Sequence, residues 1–387
     1  MMIPYGRQSI SEEDIKAVVD VLRSDWLTTG PGIKEFEDKV AGYCGAKYAV
    51  AVNSATSGLH IACLAAGLGP GDILWTSPNT FLASANAGLY CGAAVDFVDI
   101  DPRTYNLSVD CLAQKLAEAD KLGKLPKVVI PVHFAGQSCE MRQIHDLARK
   151  YRFTLIEDAA HAIGGTYEGK KIGGCAYADM TVFSFHPVKI VTTAEGGMIL
   201  TNNPELYAKL TRLRSHGLTR DPAQMSGPSH GPWYYQQIEL GYNFRMTDLQ
   251  AALGSSQLER IETFLARRRE IAARYTWELA KLPVITPFQH AAAVSAWHLY
   301  VICLDAAITA KNRRQVFEAL TAKGIGVNVH YIPVHTQPYY REIFGFEPDI
   351  CPNALAYYQA CISLPMYYGL TDEQQTYVIK SLSEALR

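Results

Sequence analysis

Between about residues 35 and 215, the chain alternates short apolar runs with longer amphipathic stretches. The apolar runs have the length of buried strands and cover residues 48–52, 73–76, 94–98, 128–132, 154–156, 180–185 and 198–201. The spacing of apolar side chains three and four positions apart, typical of surface helices, occurs at residues 109–119, 141–151 and 204–216. This rhythm predicts an α/β fold with a mostly parallel seven-stranded sheet that carries helices on both faces.

The pattern changes after Gly241, where a long helical stretch at residues 247–282 leads into shorter elements. Because 387 residues exceed the usual size of a single core, we expect more than one domain. The expected parts are an N-terminal segment near the active site, a large domain and a smaller C-terminal α/β domain, at residues 1–30, 31–250 and 251–387. Residues 226–232, rich in Gly, Pro and Ser, are predicted to form a mobile loop that could cover a site.

The composition of the chain argues against several classes of function and location. The 36 Lys and Arg residues nearly balance the 38 Asp and Glu residues, and no basic stretch could neutralise a row of phosphates, so a nucleic-acid partner is not expected. The nine cysteines form no C-x-x-C pair and no zinc-like spacing with histidine, so we predict no metal site and interpret the cysteines as buried or idle thiols in a reducing cytosol. The N-terminal residues resemble no signal peptide and no apolar run has membrane-span length, so the expected location is cytoplasmic.

In open parallel sheets, ligands bind beyond the carboxyl ends of the strands, so polar residues that follow the apolar runs are the candidates for chemistry. Residues 53–58, with the sequence NSATSG, stand between the run at 48–52 and an apolar helix that starts near Leu59. Small residues at a helix N-terminus let backbone amides approach a phosphate, and the hydroxyl groups add donors. An ordinary helix cap has the same composition, and both interpretations stay open here.

A second candidate is Asp158, which ends the apolar run that begins at residue 154. Strand alternation places Glu157 and Asp158 on opposite faces, so only one of them can point into a given cleft. A carboxylate at this position could keep a pyridine nitrogen protonated and the ring an electron sink. The alternative is a plain cap for the following helix.

The third candidate is Lys189, the only formally charged residue between Asp179 and Glu195. Apolar surroundings lower the pKa of a lysine and make it a nucleophile that can form an imine. A solvated surface lysine is the alternative that the segment alone leaves open.

Three other features are assigned no chemistry. The segment at residues 192–197 is interpreted as a glycine turn into a strand, and the glycine run at residues 67–71 is interpreted as a loop, since it follows a helix and contains Pro70. His330 and His335 have no nearby carboxylate, and Pro333 interrupts any helix between them. They are interpreted as loop histidines near a substrate or as packed side chains.

Together these segments resemble the DegT-type sugar aminotransferases, which have the aspartate-aminotransferase fold, the type I fold of pyridoxal-phosphate enzymes. The likeness covers nearly the whole chain and consists of ordered motifs at residues 27–31 (LTTGP), 53–56 (NSAT), 157–161 (EDAAH), 184–189 (SFHPVK), 195–197 (EGG), 241–245 (GYNFR) and 363–365 (SLP). Two positions depart from many members of the family, since His161 stands where they carry Gln and His186 where they carry Tyr.

The resemblance implies pyridoxal 5'-phosphate as the cofactor, with Lys189 as the Schiff-base lysine and Asp158 as the partner of the ring nitrogen. The implied cofactor contacts are Ala55, Thr56 and Ser184 at the phosphate, Phe81 stacked on the ring, His161 near the ring oxygen, and Asn243 reaching a phosphate in the partner subunit's site. The implied substrate contacts are Tyr5, Leu27, Thr28, His186, Arg245 and Tyr331. A homodimer with shared active sites follows from the match at residues 241–245.

Within the family, residues 186–189 and 192–195 are most similar to the transaminases of the pseudaminic-acid pathway. That branch implies transfer of an amino group from L-glutamate, which leaves as 2-oxoglutarate, to carbon 4 of a UDP-linked 4-keto-6-deoxy-N-acetylhexosamine. Other nucleotide-linked keto sugars, with dTDP or GDP and at carbon 3 or 4, remain alternatives. The related sugar dehydratases carry histidine in place of the lysine, so Lys189 argues against them. A non-catalytic regulator would need an added DNA-binding domain, and the folded pattern is expected to begin by about Ser11.

Overall fold

A computed structural model describes residues 2–305 and 307–387 of the protein. The helices are α1 Glu12–Leu22, α2 Pro31–Cys44, α3 Ala55–Ala65, α4 Leu82–Tyr90, α5 Val109–Leu122, α6 Met141–Tyr151, α7 Pro204–Arg214, α8 Asp248–Glu259, α9 Ile261–Leu279, α10 Arg313–Ala322, α11 Pro338–Phe344, α12 Pro352–Ala360 and α13 Asp372–Ala385. The strands are β1 Tyr48–Val52, β2 Ile73–Thr76, β3 Ala94–Phe97, β4 Val128–Ile130, β5 Thr154–Asp158, β6 Thr166–Tyr167, β7 Lys170–Lys171, β8 Met180–Ser184, β9 Gly197–Thr201, β10 Leu218–Thr219, β11 Gln236–Gln237, β12 Val284–Ile285, β13 Ala293–Val294, β14 Tyr300–Leu304 and β15 Cys361–Leu364.

The central sheet has seven strands in the order β1-β9-β8-β5-β4-β2-β3. Strand β9 pairs antiparallel with both of its neighbours, whereas the pairs from β8 to β3 are parallel. Each of the apolar runs picked out in the sequence forms one of these strands. The predicted fold, a mostly parallel seven-stranded sheet within an α/β architecture, is therefore confirmed.

Strand alternation divides the core between the two faces of this sheet. In β2, Leu74 packs in the cluster that contains α3 and α4, while its neighbour Trp75 packs in the cluster on α5 and α6. In β5, Ile156 packs in the cluster that contains α3 and α4, and Leu155 packs in the cluster on α5 and α6. Because both faces are covered, the strands are apolar almost throughout, and this is why they were visible as continuous runs.

The sequence predicts one long helical stretch at residues 247–282, but the structure forms two helices there, α8 and α9. The break falls at Arg260, whose φ of −105° and ψ of 7° are not helical. The Arg260 guanidinium pairs with the buried carboxylate of Asp14 in α1, which also accepts from Gln257. A tertiary ion pair of this kind is not visible in the periodicity of apolar residues.

The C-terminal part of the chain has a core of its own. Strands β12, β14 and β15 form an antiparallel sheet, and side chains from β14, β15, α10, α13 and the second half of α9 build the cluster around it. The first half of α9 packs instead against β8 and β9. We propose to keep the division into a segment at 1–30 and domains at 31–250 and 251–387, with α9 as the element that both cores share.

Two further observations concern the whole described chain. All nine cysteines are unpaired, and seven of them are buried. Within residues 2–305 and 307–387, none of the helices has the length and apolar character needed to span a membrane.

Candidate active site

A cavity of about 470 Å³ opens beyond the carboxyl ends of β5 and β8. This volume is in the range of small-molecule and cofactor sites. The lining residues are Tyr5, Ser54, Ala55, Thr56, Leu59, Thr80, Phe81, Ala83, Val132, Asp158, Ala160, His161, Ser184, His186, Val188, Lys189, Glu195, His298, Asn328, Val329, His330 and Tyr331. We call this cavity the central pocket.

The first turn of α3 forms one wall of the central pocket. Ser54 caps the helix by accepting a hydrogen bond of 3.1 Å from the backbone of Ser57. Helix geometry leaves the N–H groups of Ala55 and Thr56 without acceptors inside the helix, and the helix dipole favours an anion at this end. Both interpretations of the segment, cap and anion cradle, are therefore compatible with the geometry.

The cradle depends on a close approach between α3 and the start of β9. A Cβ atom added to Gly197 would lie 2.6 Å from the Ala55 nitrogen, so only glycine lets the two segments come together. Gly197 pairs with Ser184 at the end of β8, which brings the Ser184 hydroxyl to the same wall. Two backbone amides and a hydroxyl thus form a donor set that suits a phosphate.

Asp158 lies at the floor of the central pocket, with 6% of its surface exposed. The Ser84 hydroxyl donates to one carboxylate oxygen at 2.6 Å, and the Ala160 backbone N–H donates to the other at 3.1 Å. Each oxygen of the Asp158 carboxylate therefore accepts a hydrogen bond from the protein, which fixes its orientation. Its neighbour Glu157 points to the opposite face, where the Thr181 hydroxyl donates to it and His133 lies 3.6 Å away. The alternation expected for this strand is therefore present.

Lys189 lies on the turn that follows β8, and its backbone N–H donates to the His186 carbonyl at 2.9 Å. The side chain lines the central pocket. Desolvation lowers the pKa of the ammonium group to about 8, against a smaller opposing effect of the Asp158 carboxylate. A far larger fraction of Lys189 is therefore neutral and nucleophilic at pH 7 than of a solvated lysine.

Three histidines surround this lysine, namely His161, His298 and His330. The rings of His161 and His298 lie 4.4 Å apart, and His330 Nδ1 lies 2.7 Å from the Ser363 hydroxyl. Burial lowers the pKa of His330 to about 4, and the nearby Lys189 charge adds to the effect. Burial is also the main cause that lowers the pKa values of His161 and His298 well below their usual range. These three histidines therefore contribute polar but uncharged groups to the pocket wall near Lys189.

The central pocket brings together ten of the residues singled out in the sequence: Tyr5, Ala55, Thr56, Phe81, Asp158, His161, Ser184, His186, Lys189 and Tyr331. Phe81 stands at the start of α4 with 60% of its surface exposed, so its ring is free to cover a ligand.

Four other residues singled out in the sequence lie outside the central pocket: Leu27, Thr28, Asn243 and Arg245. Thr28 forms a backbone bridge with Thr247, and the Leu27 carbonyl accepts from the Asp248 backbone at 3.1 Å. The four residues therefore belong to neighbouring stretches of chain, apart from the cavity.

Among the residues that line the pocket, Glu195, His298 and Asn328 were not predicted as site residues. Neither was Ser84, which does not line the pocket but donates to the Asp158 carboxylate. His330, interpreted from the sequence as a loop histidine near a substrate or a packed side chain, is buried and lines the pocket. Ser84 is fully buried in α4, a helix of mostly small apolar residues, so a polar side chain there was a usable signal. His298 and Asn328 come from the C-terminal part of the chain, where no periodicity marks the cavity wall.

The chain is similar in sequence to one family of aminotransferases and to enzymes of polysaccharide and nucleotide-sugar biosynthesis. The model of the DegT/DnrJ/EryC1/StrS aminotransferase family matches residues 8–383. The chain is 41% identical to the spore coat polysaccharide biosynthesis protein SpsC of Bacillus subtilis, over 100% of this chain and 97% of that protein. It is 38% identical to the UDP-4-amino-4,6-dideoxy-N-acetyl-beta-L-altrosamine transaminase of Campylobacter jejuni, over 100% of this chain and 98% of that protein.

Two solved structures share the fold over nearly the whole chain. Spr1654 from Streptococcus pneumoniae, in its PLP-form, gives a TM-score of 0.90 at 32% identity and covers 100% of this chain and 98% of its own. PseC from Helicobacter pylori, an aminotransferase involved in the biosynthesis of pseudoaminic acid, gives a TM-score of 0.90 at 30% identity, with 100% and 99% covered. The chain therefore belongs to the DegT/DnrJ/EryC1/StrS aminotransferase family and is a pyridoxal-phosphate-dependent sugar aminotransferase.

Proposed function

We propose that the enzyme transfers an amino group from L-glutamate to carbon 4 of a UDP-linked 4-keto-6-deoxy-N-acetylhexosamine. The observation that carries this proposal is the position of residues 186–189, the segment most similar to the pseudaminic-acid branch. His186, Val188 and Lys189 of this segment all line the central pocket, where they can meet a sugar. The 38% identity to the Campylobacter jejuni transaminase, whose name gives this class of sugar, supports the same substrate.

The central pocket contains groups that suit each part of the cofactor. Ala55, Thr56 and Ser184 offer donors for the phosphate, Asp158 offers a carboxylate for the ring nitrogen, and Lys189 offers an amine with a lowered pKa. When bound, pyridoxal phosphate supplies an electron sink and carries nitrogen between the two halves of the exchange.

The protein groups perform the remaining tasks. We propose that Lys189 holds the cofactor covalently and moves a proton at its Nζ atom in both halves of the exchange. Asp158 keeps the ring nitrogen protonated, and Phe81 covers the ring and excludes water. His186, exposed beside Lys189, is placed to meet a sugar hydroxyl or a phosphate of the nucleotide.

The substrate proposal is tested with glutamate as donor and UDP-, dTDP- and GDP-linked 4-keto sugars as acceptors, with the new amine located by NMR. We expect the UDP sugar with a 2-acetamido group to react best and the amine to appear at carbon 4. An acetamido group needs both a donor and an acceptor, so an analogue without it should lose more activity than an analogue with a 6-hydroxyl. A preference for dTDP or GDP sugars, or amination at carbon 3, would refute this substrate and leave the aminotransferase assignment unchanged.

We also propose a homodimer with shared active sites, working in the cytoplasm. Asn243 and its neighbours Leu27, Thr28 and Arg245 lie outside the central pocket of their own chain, which suits residues that complete the site of a second copy. Exposed apolar side chains occur close to these positions in the sequence, including Trp26, Trp233 and Leu240. Unpaired buried cysteines suit a reducing compartment.

Mixing two inactive variants tests whether the sites are shared. When Lys189→Ala chains are mixed with Asn243→Ala chains, a mixed dimer contains one site with Lys189 from one chain and Asn243 from the other. We therefore expect activity above that of either parent. The matched control mixes Lys189→Ala with Asp158→Asn, since both residues line the pocket of one chain and no mixed dimer restores them together. No rise in the first mixture, with mixed dimers shown to form, contradicts shared sites.

A further inference from the structure

A second cavity lies at the opposite edge of the central sheet from the central pocket. It has a volume of about 470 Å³ and opens at the amino ends of β5 and β8, next to Thr154, Leu155 and Asp179. The two strands run parallel, so the central pocket at their carboxyl ends lies roughly 13 Å away along β5. Within the described chain, the two cavities have no lining residue in common. We call the second cavity the rear pocket.

Two arginines from the end of α6 line the rear pocket, Arg149 in the last turn and Arg152 directly after the helix. Arg152 has a φ of 62° and a ψ of 40°, the left-handed conformation that glycine adopts most readily. Helices α2, α5 and α11 also end in this conformation, each at a glycine. The helix dipole favours basic residues in the last turn, a preference that Lys150 also meets, but it does not require arginine in the left-handed position. Helix termination therefore leaves the choice of Arg152 unexplained.

Neither guanidinium is neutralised by a described part of the chain. No ion pair and no side-chain hydrogen bond joins Arg149 or Arg152 to another described residue. Arg142, in the first turn of the same helix, shows the contrast, since its guanidinium pairs with the Glu168 carboxylate and donates to it at 2.8 Å. Arg149 and Arg152 therefore keep their donors available for a ligand.

The other polar groups of the rear pocket are held by the backbone or are available to a ligand. The Asp179 carboxylate accepts from the Leu155 backbone N–H at 2.9 Å, which fixes it at the start of β8. His145 Nδ1 lies 2.8 Å from the Tyr177 carbonyl oxygen and, because a carbonyl can only accept, donates to it. The half-buried Thr154 hydroxyl has no partner among the described residues and can donate to a ligand. With two arginines and one aspartate, the lining carries a net positive charge.

This chemistry suits a phosphate group. A guanidinium presents parallel N–H donors that match two oxygens of an anion, and two guanidinium groups with a hydroxyl suit the larger number of oxygens on a phosphate. The net positive lining attracts anions. The volume exceeds that of a phosphate ion and is in the range of small-molecule sites.

We propose that the rear pocket binds a small phosphorylated molecule, with Arg149 and Arg152 as the residues that hold its phosphate. The site is separate from the central pocket. It depends neither on the cofactor contacts nor on the sugar substrate proposed above.

Calorimetric titration of the enzyme loaded with pyridoxal phosphate tests the proposal, with inorganic pyrophosphate as the probe. Loading keeps the phosphate cradle of α3 occupied. Arg149→Gln and Arg152→Gln should each weaken pyrophosphate binding at least about tenfold, since each removes a charge-assisted hydrogen bond. Unchanged affinity in both variants, or no binding to the parent enzyme at millimolar pyrophosphate, overturns the proposal.

Two controls define the specificity of the site. Lys150→Gln removes the same charge from the same turn of α6, but Lys150 does not line the rear pocket. Its affinity for pyrophosphate should stay within about twofold of the parent, since salt screens an exposed charge outside the site. An equal loss in Lys150→Gln reduces the effect to general attraction by a basic helix end and refutes the proposal. Succinate, a dicarboxylate, should bind at least about tenfold more weakly than pyrophosphate. Equal binding of succinate that also depends on the arginines refutes a phosphate site.

Arg152→Gly separates binding from folding. This variant removes the guanidinium at a position whose backbone conformation glycine adopts without strain, so its melting temperature should be at least that of Arg152→Gln. Its affinity for pyrophosphate should fall as far as in Arg152→Gln. Parental affinity in folded Arg152→Gly contradicts the role of Arg152.

Chemical modification locates the bound ligand. Phenylglyoxal modifies exposed arginines, and pyrophosphate should slow its reaction with the peptide that contains Arg149 and Arg152 in the loaded enzyme. Arg314 on α10, whose side chain is 86% exposed, is the internal standard and should react at the same rate with and without pyrophosphate. If pyrophosphate protects neither peptide, or both equally, the proposal fails.

Discussion

Replacing Lys189 by alanine should lower amino transfer by at least about a thousandfold, because the substitution removes both the covalent attachment point and the proton carrier. The reason lies in the site, where Lys189 is the amine that lines the central pocket beside His161, His298 and His330, whose lowered pKa values keep them uncharged. Turnover with glutamate and a keto sugar measures the loss. Lys189→Arg should be equally inactive, since a guanidinium keeps the charge but cannot act as the nucleophile.

Covalent labelling locates the attachment directly. Reduction of the loaded protein with borohydride, followed by peptide mass mapping, should place the cofactor on the peptide that contains Lys189. The matched control is Lys171→Ala, which removes an exposed lysine of β7 and should leave labelling and turnover unchanged. An adduct found only on another lysine would overturn the assignment of Lys189.

The same residue gives this prediction a pH dependence. The neutral amine is the reactive form, and the pKa of Lys189 is lowered to about 8 by desolvation. The rate at which the apoprotein attaches the cofactor should therefore rise with pH through a midpoint near 8 and level off above it. A solvated lysine would show its midpoint near 10.4. A midpoint in that higher range would contradict the desolvated environment of Lys189.

The sheet could be predicted from the sequence because its strands are buried on both faces. A run such as residues 180–185 is apolar at nearly every position, which marks both its length and its place in the core. The two-residue strands β6, β10 and β13 gave no such signal, since their pairing depends on neighbours that only the fold brings together. The break between α8 and α9 escaped prediction for the same reason, because it coincides with the contact of Arg260 with Asp14.

Some residues of the candidate site could likewise be predicted from the sequence, and others could not. Asp158, Ser184 and Lys189 could be found because each ends or follows a strand, and the ends of neighbouring strands in an open sheet meet at one edge. His298 lines the same cavity from the C-terminal part of the chain, and Ser84 of α4 donates to Asp158 without lining the cavity. The places of both residues depend on how helices and loops pack. The sequence also could not show that His161 uses both nitrogens within the protein, since one partner is the backbone of Ala135 and the other is Tyr331.

Substituting Asp158 by asparagine should slow turnover by at least about a hundredfold while weakening cofactor binding much less. An ionised carboxylate next to the ring nitrogen keeps that nitrogen protonated, and the protonated ring withdraws electrons from the reacting carbon. Asparagine retains the shape of the side chain, its oxygen can accept from the Ala160 backbone N–H, and its amide NH2 group can donate to the Ser84 hydroxyl, so the fold should survive. Steady-state turnover and cofactor affinity of the same variant provide the two measurements.

Two control variants accompany this prediction, one at the neighbouring residue of β5 and one at the hydroxyl group that contacts Asp158. Glu157→Gln makes the equivalent change one residue earlier, where the side chain contacts Thr181 and lies near His133 on the face away from the pocket, so turnover should stay near that of the parent enzyme. Ser84→Ala removes the 2.6 Å hydrogen bond to the Asp158 carboxylate but leaves its charge, so we expect a smaller loss than for Asp158→Asn. We therefore expect the loss of turnover to be largest for Asp158→Asn, smaller for Ser84→Ala and smallest for Glu157→Gln. Only the first substitution removes the charge beside the ring nitrogen, and Glu157 lies on the face away from the pocket. Near-normal turnover in Asp158→Asn, or a loss in Glu157→Gln of the same size, would exclude the proposed role of Asp158.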